Sequence, residues 1–299
     1  MPTKMETKKV VIAGGTGFIG SYLAERFAEK GYSVQIISRS KKHLNWVETE
    51  KVIEAISGAE LLLNFTGKSV DCRYNYKNKW KILTSRTEST LLLHKLVAAC
   101  PIPPKMWFNS STATIYRHSE DRPMTEIEGE IGSGFSVHVA ESWENAFFSK
   151  ELAHTKQIAL RIAIVLGKGG ALVPLKALTK FGFGGKQGAG NQMVSWIHIE
   201  DLYESIHFLQ HLENPAKIYN CSAPNPLRND VFMRELRTSM HVPFGIPLSK
   251  RLLEFGAFFI RTEPEMILKS RWVLPERLVE AGFEFKYKEI TEALTDLKT

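Results

Sequence analysis

The stretch Gly14-Gly15-Thr16-Gly17-Phe18-Ile19-Gly20 constrains this chain more than any other. It comes after a short apolar run, Lys9–Ala13 (KVVIA), and opens a segment in which Phe18, Ile19, Tyr22, Leu23 and Phe27 fall near helical spacing. An apolar run that ends in glycines reads as a buried parallel strand. The G-x-x-G-x-x-G spacing then marks a tight strand-to-helix turn. Glycines let backbone N–H groups approach a pyrophosphate, and the helix N-terminus adds partial positive charge there. A glycine pattern alone says little, but a strand before it and a helix after it point to a dinucleotide site.

The rest of the first half keeps the same alternation. Residues 33–37 and 61–65 read as strands, 52–56 as a short helix and 84–99 as a longer amphipathic one, which Pro101, Pro103 and Pro104 end. Residues 106–109 and 158–165 read as further strands, with a helix at about 137–152 between them. Strand and helix in alternation imply an α/β fold, a doubly wound, Rossmann-like parallel sheet covered on both faces. After Gly167 the texture changes. Gly182, Gly184, Gly185, Gly188 and Gly190 make a glycine-rich loop that suits a cover over substrate, and Pro224, Pro226, Pro243 and Pro247 punctuate the chain beyond it. The expected division is residues 1–166 as the nucleotide-binding domain and 167–299 as a smaller C-terminal α/β lobe, with later chain also adding to the main sheet.

In such folds the end of the second strand selects the cofactor. A carboxylate there holds the ribose 2′-hydroxyl of NAD, whereas Arg accommodates the 2′-phosphate of NADP. Here the strand runs out as Ile37-Ser38-Arg39-Ser40-Lys41-Lys42, without a carboxylate. Arg39 offers a planar fork and Ser38 a hydroxyl, so NADP is favoured and NAD is the less favoured alternative.

Composition narrows the function classes. A net charge of +7 suits an anionic ligand. The same charge admits nucleic acid, and Arg73, Lys77 and Lys79 alternate with Tyr74, Tyr76 and Trp80. That segment reads more simply as a solvated approach to a helix, so no nucleic-acid partner is expected. Nothing approaches the roughly 20 apolar residues of a membrane span, and residues 1–9 are too polar for a signal peptide. Cys72, Cys100 and Cys221 make neither a zinc pattern nor an even disulfide framework. The expectation is a cytoplasmic protein with reduced thiols and no metal.

The glycine turn, Asn64-Phe65-Thr66-Gly67 and Ser110-Ser111-Thr112-Ala113-Thr114-Ile115-Tyr116 together resemble the extended short-chain dehydrogenases/reductases. Lys79-Trp80 with Ser85-Arg86, the RIAIVLG run at 161–167, SWIHIED at 195–201, NCSAPNP at 220–226 and LPERLVEAGFEF at 274–285 resemble a narrower branch, the "epimerase family proteins" with a characteristic C-terminal segment at about 248–296. The resemblance implies cofactor contacts at Gly14, Thr16, Gly17, Phe18 and Ile19, and further ones at Arg39, Phe65, Thr66, Gly67 and Arg86. It implies a small-molecule substrate, a sugar nucleotide or a carbonyl compound, with Lys68, Arg73, Trp196 and Arg271 as candidate contacts. A homodimer is an open expectation.

Active members of the wider superfamily combine a Ser or Thr with Tyr-x-x-x-Lys, because a phenol near pKa 10 needs cationic help to act as a base at neutral pH. Thr112 matches the hydroxyl position. Anchoring on Glu144 puts Ser136 at the Tyr position and Ala140 at the Lys position, and residues 135–144 contain neither Tyr nor Lys. The standard mechanism does not carry over. Tyr116, Glu126 and His138 are the replacement candidates, His138 with Glu141 one helical turn on. His198 and Asp201 read as packing the lobe against the main domain. The leading function is an NADP-dependent epimerase-like oxidoreductase with atypical acid–base residues. The alternative is a non-catalytic NADP-binding sensor or assembly protein.

Overall fold

The computed structural model describes residues 8–253 and 268–298. Its centre is a seven-stranded, all-parallel sheet. The strands are β1 (Lys9–Ala13), β2 (Ser33–Ser38), β3 (Leu44–Asn45), β4 (Leu61–Asn64), β5 (Met106–Thr112), β6 (Lys156–Ile162) and β10 (Ile218–Cys221), in the spatial order β10-β6-β5-β4-β1-β2-β3. Strands β1 and β4 are almost wholly buried, which explains their near-unbroken apolar sequences.

Helices cover both faces. On one face α1 (Phe18–Glu29) and α6 (Ile199–Leu209) bury Leu23, Phe27, Leu202, Tyr203 and Ile206 against Val10, Ile12, Leu61 and Leu63. On the other, α2 (Thr49–Ile56), α3 (Tyr76–Ala98) and α4 (Phe135–Phe147) bury Val52, Ile56, Leu93, Val97 and Phe147 against Val11, Leu62 and Trp107. Alternate residues of one strand therefore pack against the helices of opposite faces.

The chain reverses its direction of growth across the sheet at β1. It runs outward to β2 and β3, then returns to place β4 on the other side of β1. Parallel α/β sheets bind ligands at such a switch point, outside the carboxyl ends of the strands. The two strand ends come close here. A Cβ added to Gly14 would lie 2.7 Å from the Phe65 carbonyl carbon.

The later chain builds a second core. Two small pairings, β7 (Ile164–Leu166) with β9 (Trp196–His198) and β8 (Met193–Val194) with β11 (Leu227–Arg228), lie beside α5 (Leu172–Lys180), α7 (Asn229–Ser239), α8 (Glu276–Glu280) and α9 (Ile290–Asp296). Leu166, Trp196, Phe232, Met233, Leu236, Ile290, Ala293 and Leu294 are buried together there. Strand β10 leaves this region to pair with β6 at the edge of the main sheet. The glycine-rich 182–190 loop docks on the segment at 245–248 through Gly185 N–H to Ile246 O and Gly188 N–H to Leu248 O, and Gly184 packs on Arg237. Its described contacts are thus to the second core's own chain. None of the described helices is long and apolar enough to cross a membrane.

Candidate functional site

The turn between β1 and α1 assigns a different task to each of Gly14, Gly17 and Gly20. Gly14 has a φ of +82° and passes against the Phe65 backbone. Gly20 lets α1 press onto its own entry turn, since a Cβ there would lie 2.5 Å from Gly14 O. Gly17 has room behind it, with the nearest heavy atom 3.5 Å from an added Cβ, and it is exposed. It is the N-cap of α1 and offers no side-chain cap, and the first turn holds no acidic residue. The leading N–H groups of a helix need acceptors. Here they open toward the crevice beside exposed Thr16 and Gly17, a cradle suited to an anion.

The Phe18 ring has another task. Cβ atoms added to Gly167, Gly169 and Gly170 would lie 2.7, 2.5 and 2.8 Å from its ring atoms. Its side chain is seated in the 167–170 loop.

At the end of β2, Ser38 is buried and accepts from Ser40 N–H at 3.0 Å, fixing the bend. Arg39, Lys41 and Lys42 are exposed, and no carboxylate among the described residues pairs with them. Beyond β4, Asn64 is fully buried and holds the loop. Its Oδ1 accepts from Thr66 N–H at 3.1 Å and from Thr66 Oγ1 at 2.6 Å, while Nδ2 donates to Asn109 Oδ1 at 2.6 Å and to Thr90 Oγ1 at 3.0 Å. Phe65, Thr66 and exposed Gly67 come next as a backbone ledge over the crevice. Arg86 reaches it from α3. Its Nη1 donates to Lys68 O and to Ile82 O, both at 3.0 Å, and its guanidinium lies 5.0 Å from the centre of the Trp143 ring. Burial pulls Arg86 down to about 10.

The sequence candidates for proton transfer separate. Thr112 stands at the carboxyl end of β5, half-buried, and its Oγ1 accepts from Thr114 N–H at 3.1 Å to cap a single 3-10 turn. Tyr116 is in the core, 1% exposed. Its phenol accepts from Arg161 Nη1 at 2.9 Å and donates to Asn220 Oδ1 at 2.8 Å, and burial pushes it above its ordinary range. Arg161 in turn forks onto buried Glu144, Nε to Oε1 at 2.9 Å and Nη2 to Oε2 at 2.8 Å, and Ser111 Oγ donates to Oε1 at 2.5 Å. Glu126 accepts from the Asn220 N–H at 2.7 Å and faces Arg277 N–H at the start of α8, so it joins the β10 edge to the C-terminal chain. Burial raises its pKa. His138 and Glu141 are exposed, whereas Ala140, Trp143 and Glu144 face inward. His138 therefore points away from the crevice.

The remaining candidates divide likewise. Trp196 is fully buried in the second core, which removes it as a substrate contact. Arg271 donates to Thr114 Oγ1 at 3.2 Å, and Lys269 to Thr114 O at 3.2 Å, so both reach the end of β5. His198 and Asp201 bind the C-terminal chain. Asp201 accepts from the N–H groups of Lys286 and Tyr287 at 2.9 and 3.0 Å, and the His198 ring packs on Tyr287 with centroids 3.9 Å apart. Burial drops His198 to about 4. Sequence reasoning assigns Arg161 and Asn220 no role of their own. Their importance lies in contacts with Tyr116, 45 and 104 residues away, which no local pattern encodes.

Comparison with known proteins agrees with this geometry. Residues 10–222 match the model of the NAD dependent epimerase/dehydratase family, and residues 251–297 match a domain of unknown function, DUF1731. The chain is 30% identical over 302 residues to the epimerase family protein SA0724 of Staphylococcus aureus, covering 97% of this chain and 99% of that one. It is 29% identical to the epimerase family protein YfhF of Bacillus subtilis, covering 96% and 97%. The human epimerase family protein SDR39U1, solved with NADPH, superposes with a TM-score of 0.88 at 27% identity over 97% of this chain and 98% of that one. MoeE5, solved with UDP-glucuronic acid and NAD, shares the fold at a TM-score of 0.76 and 14% identity over 96% of each chain. The chain belongs to the NAD dependent epimerase/dehydratase family.

Proposed function

We propose that the crevice between β1 and β4 binds NADP(H) and that the protein is an epimerase-like oxidoreductase acting on a small alcohol or carbonyl compound, with a sugar nucleotide as one candidate class. The carrying observation is the end of β2, where exposed Arg39 stands beside Lys41 and Lys42 without a carboxylate. A 2′-phosphate needs that charge, and a bare 2′-hydroxyl prefers an acid. The NADPH bound by the human relative supports the same choice. The pyrophosphate would rest on the backbone of residues 14–19, and the Phe65-Thr66-Gly67 ledge and Arg86 would flank the far half. The nicotinamide supplies a hydride acceptor or donor. Thr112 would position the substrate oxygen. The division into a nucleotide-binding domain and a substrate lobe belongs to the same reading.

Titration of the protein with NADPH and NADH tests it. NADPH should bind at least tenfold tighter, and Arg39→Ala should erase that ratio by weakening NADPH alone, a loss of about 1.4 kcal/mol per tenfold. Tighter binding of NADH by the unaltered protein would overturn the assignment.

A second reading has its own support. Tyr116 and Glu126 are engaged by core groups and His138 faces solvent. That favours a non-catalytic NADP-binding protein. Absorbance of the reduced nicotinamide across a panel of sugar nucleotides, alcohols and carbonyls separates the two: turnover excludes the non-catalytic reading.

A further inference from the structure

Far from the glycine turn in sequence, α6 and the residues that close it read His207-Phe208-Leu209-Gln210-His211. Side chains four residues apart meet on one helical face, and here the two imidazole rings lie 4.9 Å apart between centroids. Histidines at i and i+4 on a helix are the pair that binds zinc in the metalloprotease motif. Of the chain's nine histidines, these are the two whose rings meet among the described residues. The sequence expectation of no metal rests on the cysteines and does not address this pair.

The local bonding suits both rings to a metal. His211 Nδ1 lies 2.7 Å from His207 O. A carbonyl only accepts, so Nδ1 carries the proton, and in the neutral ring Nε2 keeps its lone pair. Metal-binding histidines are fixed in this way, their other ring N–H donating to a carbonyl or carboxylate. His207 stacks on Tyr203, with centroids 6.0 Å apart and an angle of 28°. Burial, with the charges of His211, Lys30 and Lys8, lowers the pKa of His207 and so favours the neutral form that a metal needs.

The surroundings favour a cation. Both histidines line an open cavity of about 740 Å³ between α6 and the 282–286 segment, whose wall carries Glu200, Glu204 and Glu284 against one ammonium, Lys286. Glu200 is already engaged by Tyr22 and by Arg26 Nη2 at 2.5 Å, so it contributes charge and not a ligand. The pair also stands at the carboxyl end of α6, where the helix dipole is negative. Among the described residues no group of three or more His, Cys, Asp or Glu forms a metal cage. Two protein ligands, with water in the other positions, make an exchangeable site and not a closed structural one.

We propose that His207 and His211 together bind a divalent first-row transition-metal ion of the zinc type. Imidazole suits such ions, whereas magnesium and calcium prefer oxygen ligands. The bridging ion ties the last turn of α6 to the residue that closes it, and it stabilises the folded form in proportion to its occupancy. The site is independent of dinucleotide binding.

Calorimetric titration of the untagged, cofactor-free protein tests it. Zinc chloride should show saturable binding and magnesium chloride none. His207→Gln and His211→Gln should each weaken zinc binding by at least about tenfold. His154→Gln removes an exposed histidine outside the pair and should leave the affinity unchanged. Side-chain nitrogen NMR of the unaltered protein identifies the ligands without any substitution, so it stands even if a variant does not fold: substoichiometric zinc should move the ring signals of His207 and His211. Absence of saturable zinc binding overturns the proposal. Full binding by both variants, or ring shifts confined to other histidines, overturns it as well.

Discussion

Three glycines spaced alike meet three different surroundings. An alanine at position 14 would have to adopt a φ of +82° and would bring its methyl to 2.7 Å from the Phe65 carbonyl, whereas an alanine at 17 meets nothing closer than 3.5 Å. Gly14→Ala should cost about 2 kcal/mol or more in urea unfolding and abolish dinucleotide binding. Gly17→Ala should leave the urea midpoint close to the unaltered protein and weaken only the ligand. Equal destabilisation by both would contradict this division. The sequence spacing reveals the turn because the constraint is local: backbone against backbone within seven residues. It does not reveal which glycine serves the fold and which the ligand, since that depends on Phe65. Arg161 illustrates the opposite limit. It stands in a run of strand residues, and only the sheet brings it to Tyr116 and Glu144.

Elements are legible where burial sets a period and less so where caps or neighbours decide. The periodicity predicts the third helix from residue 84, but α3 begins at Tyr76, because Asn75 Oδ1 caps it by accepting from Asn78 N–H at 2.9 Å. Its first two turns are mostly exposed and carry no apolar stripe. Strand β5 likewise runs past Asn109 to Thr112, its polar residues Ser110, Ser111 and Thr112 held by parallel pairing with β6. The β9–α6 junction yields a pH prediction. His198 Nδ1 caps α6 by accepting from Glu200 N–H at 3.2 Å, and burial keeps its imidazole neutral down to about pH 4. An unfolded imidazole titrates near 6.5. Between those values the unfolded chain binds the extra proton, so this group's contribution is full above about pH 6.5 and is lost progressively as pH falls toward 4, by up to about 3 kcal/mol. His198→Asn keeps a capping group and cannot titrate. Urea midpoints at about pH 7.5 and pH 5 should fall further in the unaltered protein than in this variant; equal falls would assign the acid sensitivity elsewhere.

The whole molecule joins two cores through a C-terminal chain that returns to Asp201 and Glu126. Alternation of strand and helix makes the parallel sheet readable, but not its order, because strand order is a long-range property that only the crossovers define. A ligand that binds the crevice of the folded form alone should stabilise both cores together. At a hundredfold excess over its dissociation constant NADPH should add about 2.7 kcal/mol to unfolding, seen as one cooperative transition moving upward. A transition that splits, with one half unmoved, would show that the second core unfolds independently.

The Phe18 ring gives that coupling a physical route. In the folded chain Gly167, Gly169 and Gly170 form a socket around one ring at the head of α1. Any side chain added at those glycines would push on the ring, and through it would tilt the cradle some 150 residues upstream in sequence (Gly167 is 149 positions from Phe18). The same linkage runs in reverse. An anion drawing the first turn of α1 toward itself would shift the Phe18 ring within that socket and so press on the 167–170 loop that leads into α5.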